Sequence, residues 1–281
     1  MHFTIVTPCY RSAHTLEATL RSVLHQSALS DGTAHLTYWV VEGGAQDGSA
    51  ERVQALQAEF AQHPHITLHL ISEADAGMYD ALAKGLQRAQ EGVCAYLNAG
   101  DRYEPTAFAV VQSVFTQHPH LQWLCGLEAT RAEHGMILNV RQPFRFRSRW
   151  IQHGLYNGQP LPFIQQETTF WRSELHAHID WARLANYRLA GDAYLWHTFA
   201  QHAPLTIVSA LLGAFTVHRG QQSEALDRYH AEWAQHATPA SAWDHLQKWG
   251  DYLLWYAPQS LKKRLNPHGL LVFDHTTQAW R

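Results

Sequence analysis

Cysteine is scarce in this chain of 281 residues. There are three, Cys9, Cys94 and Cys125, and no C-x-x-C pair. That pattern excludes a cysteine-based zinc module and suits a reducing compartment. Charge is sparse too: Asp, Glu, Lys and Arg make up 16% of the chain, with a formal net charge of -3. A general nucleic-acid binder is therefore not expected. No run of about 18 apolar residues occurs, so no bilayer-spanning segment is expected. The opening MHFTIVTPCY lacks a basic stretch followed by a long apolar one, so no secretory signal is expected either. Several motifs are missing. Pro8-Cys9-Tyr10 follows the first apolar run where a dinucleotide-binding unit would carry G-x-G-x-x-G. There is no G-x-x-x-x-G-K-[ST], no H-E-x-x-H and no G-x-S-x-G, which removes P-loop, zincin and α/β-hydrolase chemistry.

What remains fits a globular protein with ample core: 46% apolar residues, with 11 each of Trp, Tyr and Phe. The 21 His are scattered. The pairs His63/His65, His118/His120 and His176/His178 stand near expected helix ends and read as surface residues rather than metal ligands.

Periodicity predicts alternating strands and helices through about residue 117. Phe3–Val6, 36–41, 66–71 and 93–97 read as strands. Leu16, Leu20, Val23 and Leu24 fall on one helical face, as do Val53, Leu56 and Phe60, then Met78, Leu82, Leu86 and Ala89, then Phe108, Val111 and Phe115. This alternation implies a parallel sheet covered on both faces. Residues 121–127 continue it as a strand. Residues 139–165, rich in Arg, Gln, Pro and aromatics, read as a long loop. A strand is expected over 166–172, a helix from Gly191-Asp192 to Phe199, and strand material over 205–217. The tail from Ser223 reads as helical and Trp-rich.

In a parallel sheet the loops after the strands share one edge. Those loops carry Pro8-Cys9-Tyr10-Arg11, then Glu42-Gly43-Gly44 and Asp47, then Glu73, Asp75 and Gly77, and finally Asp101 at the exit of VCAYLNAGD. Each alone is ordinary turn chemistry. Together they gather acids and glycines at one crevice, where carboxylates can accept from sugar or base hydroxyls or hold a metal against a diphosphate.

The segments FTIVTPCYRSAHTLEATLRSVLHQS, VVEGGAQDGS, ISEADAGMYDALAKGL and AYLNAGD, followed by QQETTFWR, RLAGDAYLW and HRGQQS, resemble the inverting family 2 glycosyltransferases with the GT-A fold. The resemblance is greatest to those that build bacterial surface polysaccharides. It implies an α/β, Rossmann-related sandwich with a mainly parallel central sheet flanked by helices, plus a helical C-terminal tail. It divides the chain into a GT-A-like domain over 1–222 (nucleotide-sugar half 1–120, acceptor half 121–222) and an extension over 223–281.

The resemblance also implies roles. Pro8 and Tyr10 match positions lining the nucleoside, and Glu42 stands where an Asp usually contacts the base. Asp75 matches an acid near nucleoside and sugar, and Lys84 the basic residue of an N-K-G sequence whose Asn is here Ala83. Asp101 matches the last acid of the metal-binding region, but Asn98 and Gly100 replace the two acids before it. Asp192 matches the catalytic base, with Glu167 as the alternative. The His218-Arg219 pair matches the diphosphate side, with His218 a second metal ligand. The implied cofactor is Mg²⁺ or Mn²⁺, the donor a nucleotide sugar (UDP by family habit), and the acceptor a glycan or lipid-linked hydroxyl. A cytoplasmic location is implied, peripheral at the inner face of the membrane.

Near the C-terminus, Trp243, Leu246, Trp249, Leu253 and Tyr256 share a helical face, followed by Lys262-Lys263-Arg264. They would pack on the catalytic domain or form an interfacial helix with a basic patch. Two other functions stay open on the residues. The missing acids allow a catalytically inactive sugar-nucleotide-binding module. A nucleotidyltransferase would want a Gly-rich basic loop after the first strand, where this chain offers one Arg.

Overall fold

Runs that are apolar on both faces become central strands, and helices with one apolar stripe cover them. The computed structural model describes residues 1–89, 91–217 and 225–281. Its first part runs β1 (His2–Cys9), α1 (Leu16–Leu24), α2 (Ser27–Ser30), β2 (His35–Glu42), α3 (Ser49–Phe60), β3 (Ile66–Ser72), α4 (Met78–Leu86), β4 (Val93–Tyr96), β5 (Arg102–Tyr103) and α5 (Ala107–Gln117). β1 is buried from Phe3 to Cys9, the mark of a strand covered on both sides. α1 buries Leu16, Leu20, Val23 and Leu24, the set its spacing predicts. α5 buries Phe108, Val111 and Phe115, and Phe108 stacks on Phe3 with ring centroids 4.3 Å apart.

The remainder runs β6 (Trp123–Cys125), β7 (Glu128–Ala132), β8 (Ile137–Arg141), α6 (Ser148–Gln152), a 3₁₀ turn at Gln166–Thr168, β9 (Thr169–Arg172), a second 3₁₀ turn at Ser173–His178, α7 (Trp181–Asn186), α8 (Gly191–Ala200), β10 (Thr206–Val208) and β11 (Gly213–Val217). Then come α9 (Leu226–Ala234), α10 (Ala242–Leu254), α11 (Gln259–Leu265), β12 (Leu270–Leu271) and the ribbon β13 (Phe273–Asp274) with β14 (Ala279–Trp280).

The central sheet has eight strands in the order β12-β10-β6-β9-β4-β1-β2-β3. β9 runs antiparallel to both its neighbours, β4 and β6. The other pairings in it are parallel. This is the mainly parallel α/β sandwich expected. A smaller sheet, β5-β11-β7-β8, stands at the exit of β4.

Three local expectations need adjustment. Residues 139–165 are not a bare loop, since they hold the end of β8 and all of α6. The apolar run 205–217 divides between the two sheets, as β10 and β11. The tail is not wholly helical, because β12 pairs with β10 at the edge of the central sheet. Strands of two to five residues carry too few alternations to register as periodicity. The boundary placed at 222 lies outside the described residues.

Candidate active site

The exit of β4 is held from two sides. Gly100 donates its N–H to Thr19 Oγ1 (2.8 Å), and that hydroxyl donates to the Asp101 carbonyl (2.8 Å). From β11, the Thr216 N–H donates to Asp101 Oδ1 (2.7 Å), and its hydroxyl to the Gly100 carbonyl (2.8 Å). Gly100 has a φ of 115°, a conformation other residues rarely adopt. Asp101 is therefore fixed and almost wholly buried. Burial pushes its carboxyl well above the ordinary range, and the neighbouring Glu167 charge adds to the shift.

Glu167 lies in the 3₁₀ turn before β9 and is also buried. Gln166 Nε2 donates to its Oε1 at 2.7 Å. Burial raises its pKa too, opposed by that bond and reinforced by the charge of Asp192. The charge of Glu167 thus raises Asp101, and the charge of Asp192 raises Glu167. The three acids come from separate stretches of chain, and each pair linked here is close enough for one charge to raise the other's pKa.

Asp192 occupies the first turn of α8. Its Oδ1 accepts from its neighbour Ala193 N–H (2.8 Å), from Tyr229 Oη (3.1 Å) and, at a longer 3.4 Å, from Tyr79 Oη. Burial pushes its pKa up to about 6, against the pull of these donors. The start of α8 is clamped from α9: the Glu232 carboxylate accepts the N–H groups of Arg188, Leu189 and Ala190 at 2.7, 2.8 and 2.7 Å. Ile164, Phe163, Trp196 and Trp233 line a small cavity beside Asp192 and Tyr229. Tyr229 and Glu232 escaped sequence reasoning, because their value lies in contacts with residues more than thirty positions away.

Gly191 packs so closely on Tyr79 that a Cβ there would overlap the ring. Gly191→Ala is expected to displace Tyr79 from Asp192 and cost about 1–3 kcal/mol, as overpacking does. Urea denaturation measures the loss, and an unchanged midpoint would contradict the packing.

The other predicted residues lie around the β1, β2 and β3 exits. Pro8 is buried within β1, opposite Val41. Tyr10 is exposed beyond it. A Cβ on Gly43 would stand 2.8 Å from Asp75 Oδ2 and 3.1 Å from Tyr10 Cδ2, so these three come together. Asp75 accepts the Gly77 N–H at 2.9 Å, and partial burial raises its pKa. Glu42 is buried, with Oε1 accepting Ala45 N–H (2.6 Å) and Oε2 accepting Ser72 Oγ (2.7 Å). Both of its oxygens therefore hold the loop. Lys84 Nζ pairs with Glu73 (3.0 Å) and Asp80 (3.3 Å) on the same flank. His218 and Arg219 lie outside the described residues.

Among the described residues the donor set fits a metal poorly. Asn98 and Gly100 offer no carboxylate, and one oxygen of Asp101 already accepts an amide. Among the described residues no three of His, Cys, Asp and Glu gather as ligands.

Comparison with known proteins places the chain. No curated protein matches it in sequence. Solved structures match its fold. TarS 1–349 of S. aureus, in complex with UDP-GlcNAc, aligns with a TM-score of 0.58 at 14% identity over 80% of this chain. The chain spans 61% of that structure's length. The mannosyltransferase PcManGT of Pyrobaculum calidifontis, in complex with GDP-Man and Mn²⁺, gives a TM-score of 0.57 at 16% identity, covering 94% of this chain and 74% of its own. M. tuberculosis glucosyl-3-phosphoglycerate synthase gives 0.52 at 14%, covering 85% and 82%. The family model for glycosyl transferase family 2 matches residues 4–179, more than half of the sequence. The chain belongs to glycosyl transferase family 2.

Proposed function

We propose that this protein transfers a sugar from a nucleoside diphosphate donor, UDP favoured, to a hydroxyl of a glycan or lipid-linked acceptor, with inversion, in the building of a surface polysaccharide. It would work in the cytoplasm at the inner face of the membrane, with no part for nucleic acid. The observation that carries the reading is Asp192, a buried carboxylate held by Tyr229, Tyr79 and the Ala193 amide, with its pKa raised by burial to about 6.

In this mechanism the acceptor hydroxyl attacks the anomeric carbon from the face opposite the nucleotide. Asp192 takes the hydroxyl proton as the new bond forms. Tyr229 and Tyr79 hold its Oδ1, and Glu232 holds the backbone that carries it. Glu167, whose carboxyl feels the charge of Asp192, is the alternative base. Tyr10, Gly43 and Asp75 form the nucleoside side, where an exposed ring can stack on a base and a side chain at 43 would obstruct it. Pro8 and Glu42 shape that side from within. Lys84 neutralises its acidic flank.

Mg²⁺ or Mn²⁺, where bound, would be held by Asp101 together with His218. With so few donors among the described residues, Mn²⁺ alone is expected to leave the melting temperature unchanged. UDP-sugar with Mn²⁺ should raise it by mass action. A thermal-shift panel over UDP-, GDP- and dTDP-sugars, with and without Mn²⁺, reads this directly. Lack of a shift with every nucleotide would end the donor assignment.

The replacement of two acids by Asn98 and Gly100 favours a second reading, an inactive sugar-nucleotide-binding module. Donor hydrolysis without acceptor separates the two, since the module would bind the nucleotide and release no free sugar.

A further inference from the structure

Helix α10 presents the reverse of an ordinary surface helix. Its two acids face the body of the protein. Asp244 accepts from Trp150 Nε1 (2.9 Å) and Arg149, and closes a capping box with Ser241. Asp251 accepts two bonds from Arg147, both 2.8 Å. Its large apolar residues face solvent instead. Trp243, Leu246, Trp249 and Leu253, with Tyr256 just beyond the helix, are 54–71% exposed. A soluble surface helix normally turns this stripe inward, and exposed apolar surface on this scale marks an interaction site.

Charge indicates what covers it. From His245 to Phe273 the sequence has four Lys and Arg and a single acid, the buried Asp251. The whole chain is net negative, so this lack of exposed acid is local. Guanidinium groups stand at both ends of the stripe: Arg149 beside Ser241, and Arg141 over the Tyr256 ring at 4.8 Å. Of the basic tract after it, Lys262 turns inward to the carbonyls of Gln142 and Trp255, and Lys263 reaches those of Pro267 and Leu270. Arg264 is exposed there, beside exposed Leu261 and Leu265. β8, which ends in Arg141, adds exposed Leu138 and Val140.

We infer that α10, with α11 and β8 at its margins, docks on an anionic lipid bilayer, its Trp and Leu side chains entering below the headgroups and Arg141, Arg149 and Arg264 meeting lipid phosphates. Apolar bodies with polar tips make Trp and Tyr suited to that boundary. No described helix is long and apolar enough to cross the bilayer, and the contact inferred for α10 is a peripheral one. A second copy suits the surface less well. A two-fold dimer sets a patch against itself, and here that would bring guanidinium toward guanidinium with no exposed acid on α10 or α11 to pair with them. The inference does not depend on sugar transfer.

The test is flotation of the full chain with vesicles, either phosphatidylglycerol mixed with phosphatidylethanolamine or phosphatidylcholine alone. The wild type is expected to float with the anionic vesicles and much less with the neutral ones, and added salt should weaken binding. The double variant Trp249→Ser/Leu253→Ser should bind the anionic vesicles at least about tenfold less. Arg264→Glu alters the rim alone and should bind several-fold less, which guards against a folding defect in the first variant. Failure of the wild type to float, equal binding to neutral vesicles, or undiminished binding by both variants would overturn the inference. So would a dimer in sedimentation that Trp249→Ser/Leu253→Ser dissociates, because the face would then belong to a second copy.

Discussion

Asp192→Asn is expected to lower kcat by about 10²–10⁴-fold, the usual worth of a positioned general base, while donor affinity changes little. The substitution keeps the side chain's size and its acceptor oxygen, so Tyr229 and the Ala193 amide retain a partner. It removes the capacity to take a proton. The pH profile gives a second reading of the same experiment. Burial lifts Asp192 to about 6, so the wild-type rate should climb with pH through about 6 and level off above it. Asn has no such titration, and the residual rate of the variant should lose that limb. Because the Asp192 charge raises Glu167, the variant should also let Glu167 ionise at lower pH. If Glu167 is the base instead, Glu167→Gln will carry the large loss and Asp192→Asn the small one. Near wild-type turnover in Asp192→Asn and in Asp101→Ala together would remove this mechanism.

The sequence exposed the scaffold more readily than the contacts. Leu16, Leu20, Val23 and Leu24 were legible because a helix repeats its core-facing positions, and α1 buries all four. β1 and β4 were legible because burial on both faces leaves continuous apolar runs, and β2 and the edge strand β3 because they are rich in apolar and β-branched residues. Past residue 127 that signal weakens, although β9 and α8 still fall where they were expected. β7 and β8 carry exposed Leu138 and Val140 beside partly buried polar residues, so neither strand shows clean alternation. The candidate site divides the same way. Asp101, Glu167 and Asp192 stood out through the segments around them, but nothing local predicts that Thr216 anchors Asp101 from another sheet. Nor does anything local predict that Tyr229 and Glu232, on α9, hold Asp192 and its backbone. Glu42 is the instructive case. An acid in a loop after a strand invites a ligand, yet both of its oxygens serve Ala45 and Ser72. Its contribution to a nucleoside site would come through the loop it shapes.

Neutralising Glu167 should stabilise the protein at pH 8. Its carboxyl is buried and its pKa is raised, chiefly by that burial, from an ordinary 4.5. An acid raised on folding holds its proton more tightly in the native state. Its contribution is fully present below about pH 4.5 and is lost as pH rises through the folded value. At pH 8 the native state must therefore hold a charge that the unfolded chain would carry in water. Glu167→Gln removes that burden while keeping an oxygen for Gln166 Nε2. The gain should be on the order of 1–3 kcal/mol at pH 8, reduced if the new amide N–H groups find no partner. It should vanish or reverse near pH 4, where Glu167 is protonated in both states. Asp101 works in the same direction, since burial and the Glu167 charge raise it as well. Urea denaturation of wild type and variant at the two pH values decides the matter. A difference that does not change with pH would show that Glu167 carries no buried charge. A pH-dependent gain would show that the buried Glu167 carboxyl is maintained at a cost in stability, as expected where charge serves chemistry rather than the fold.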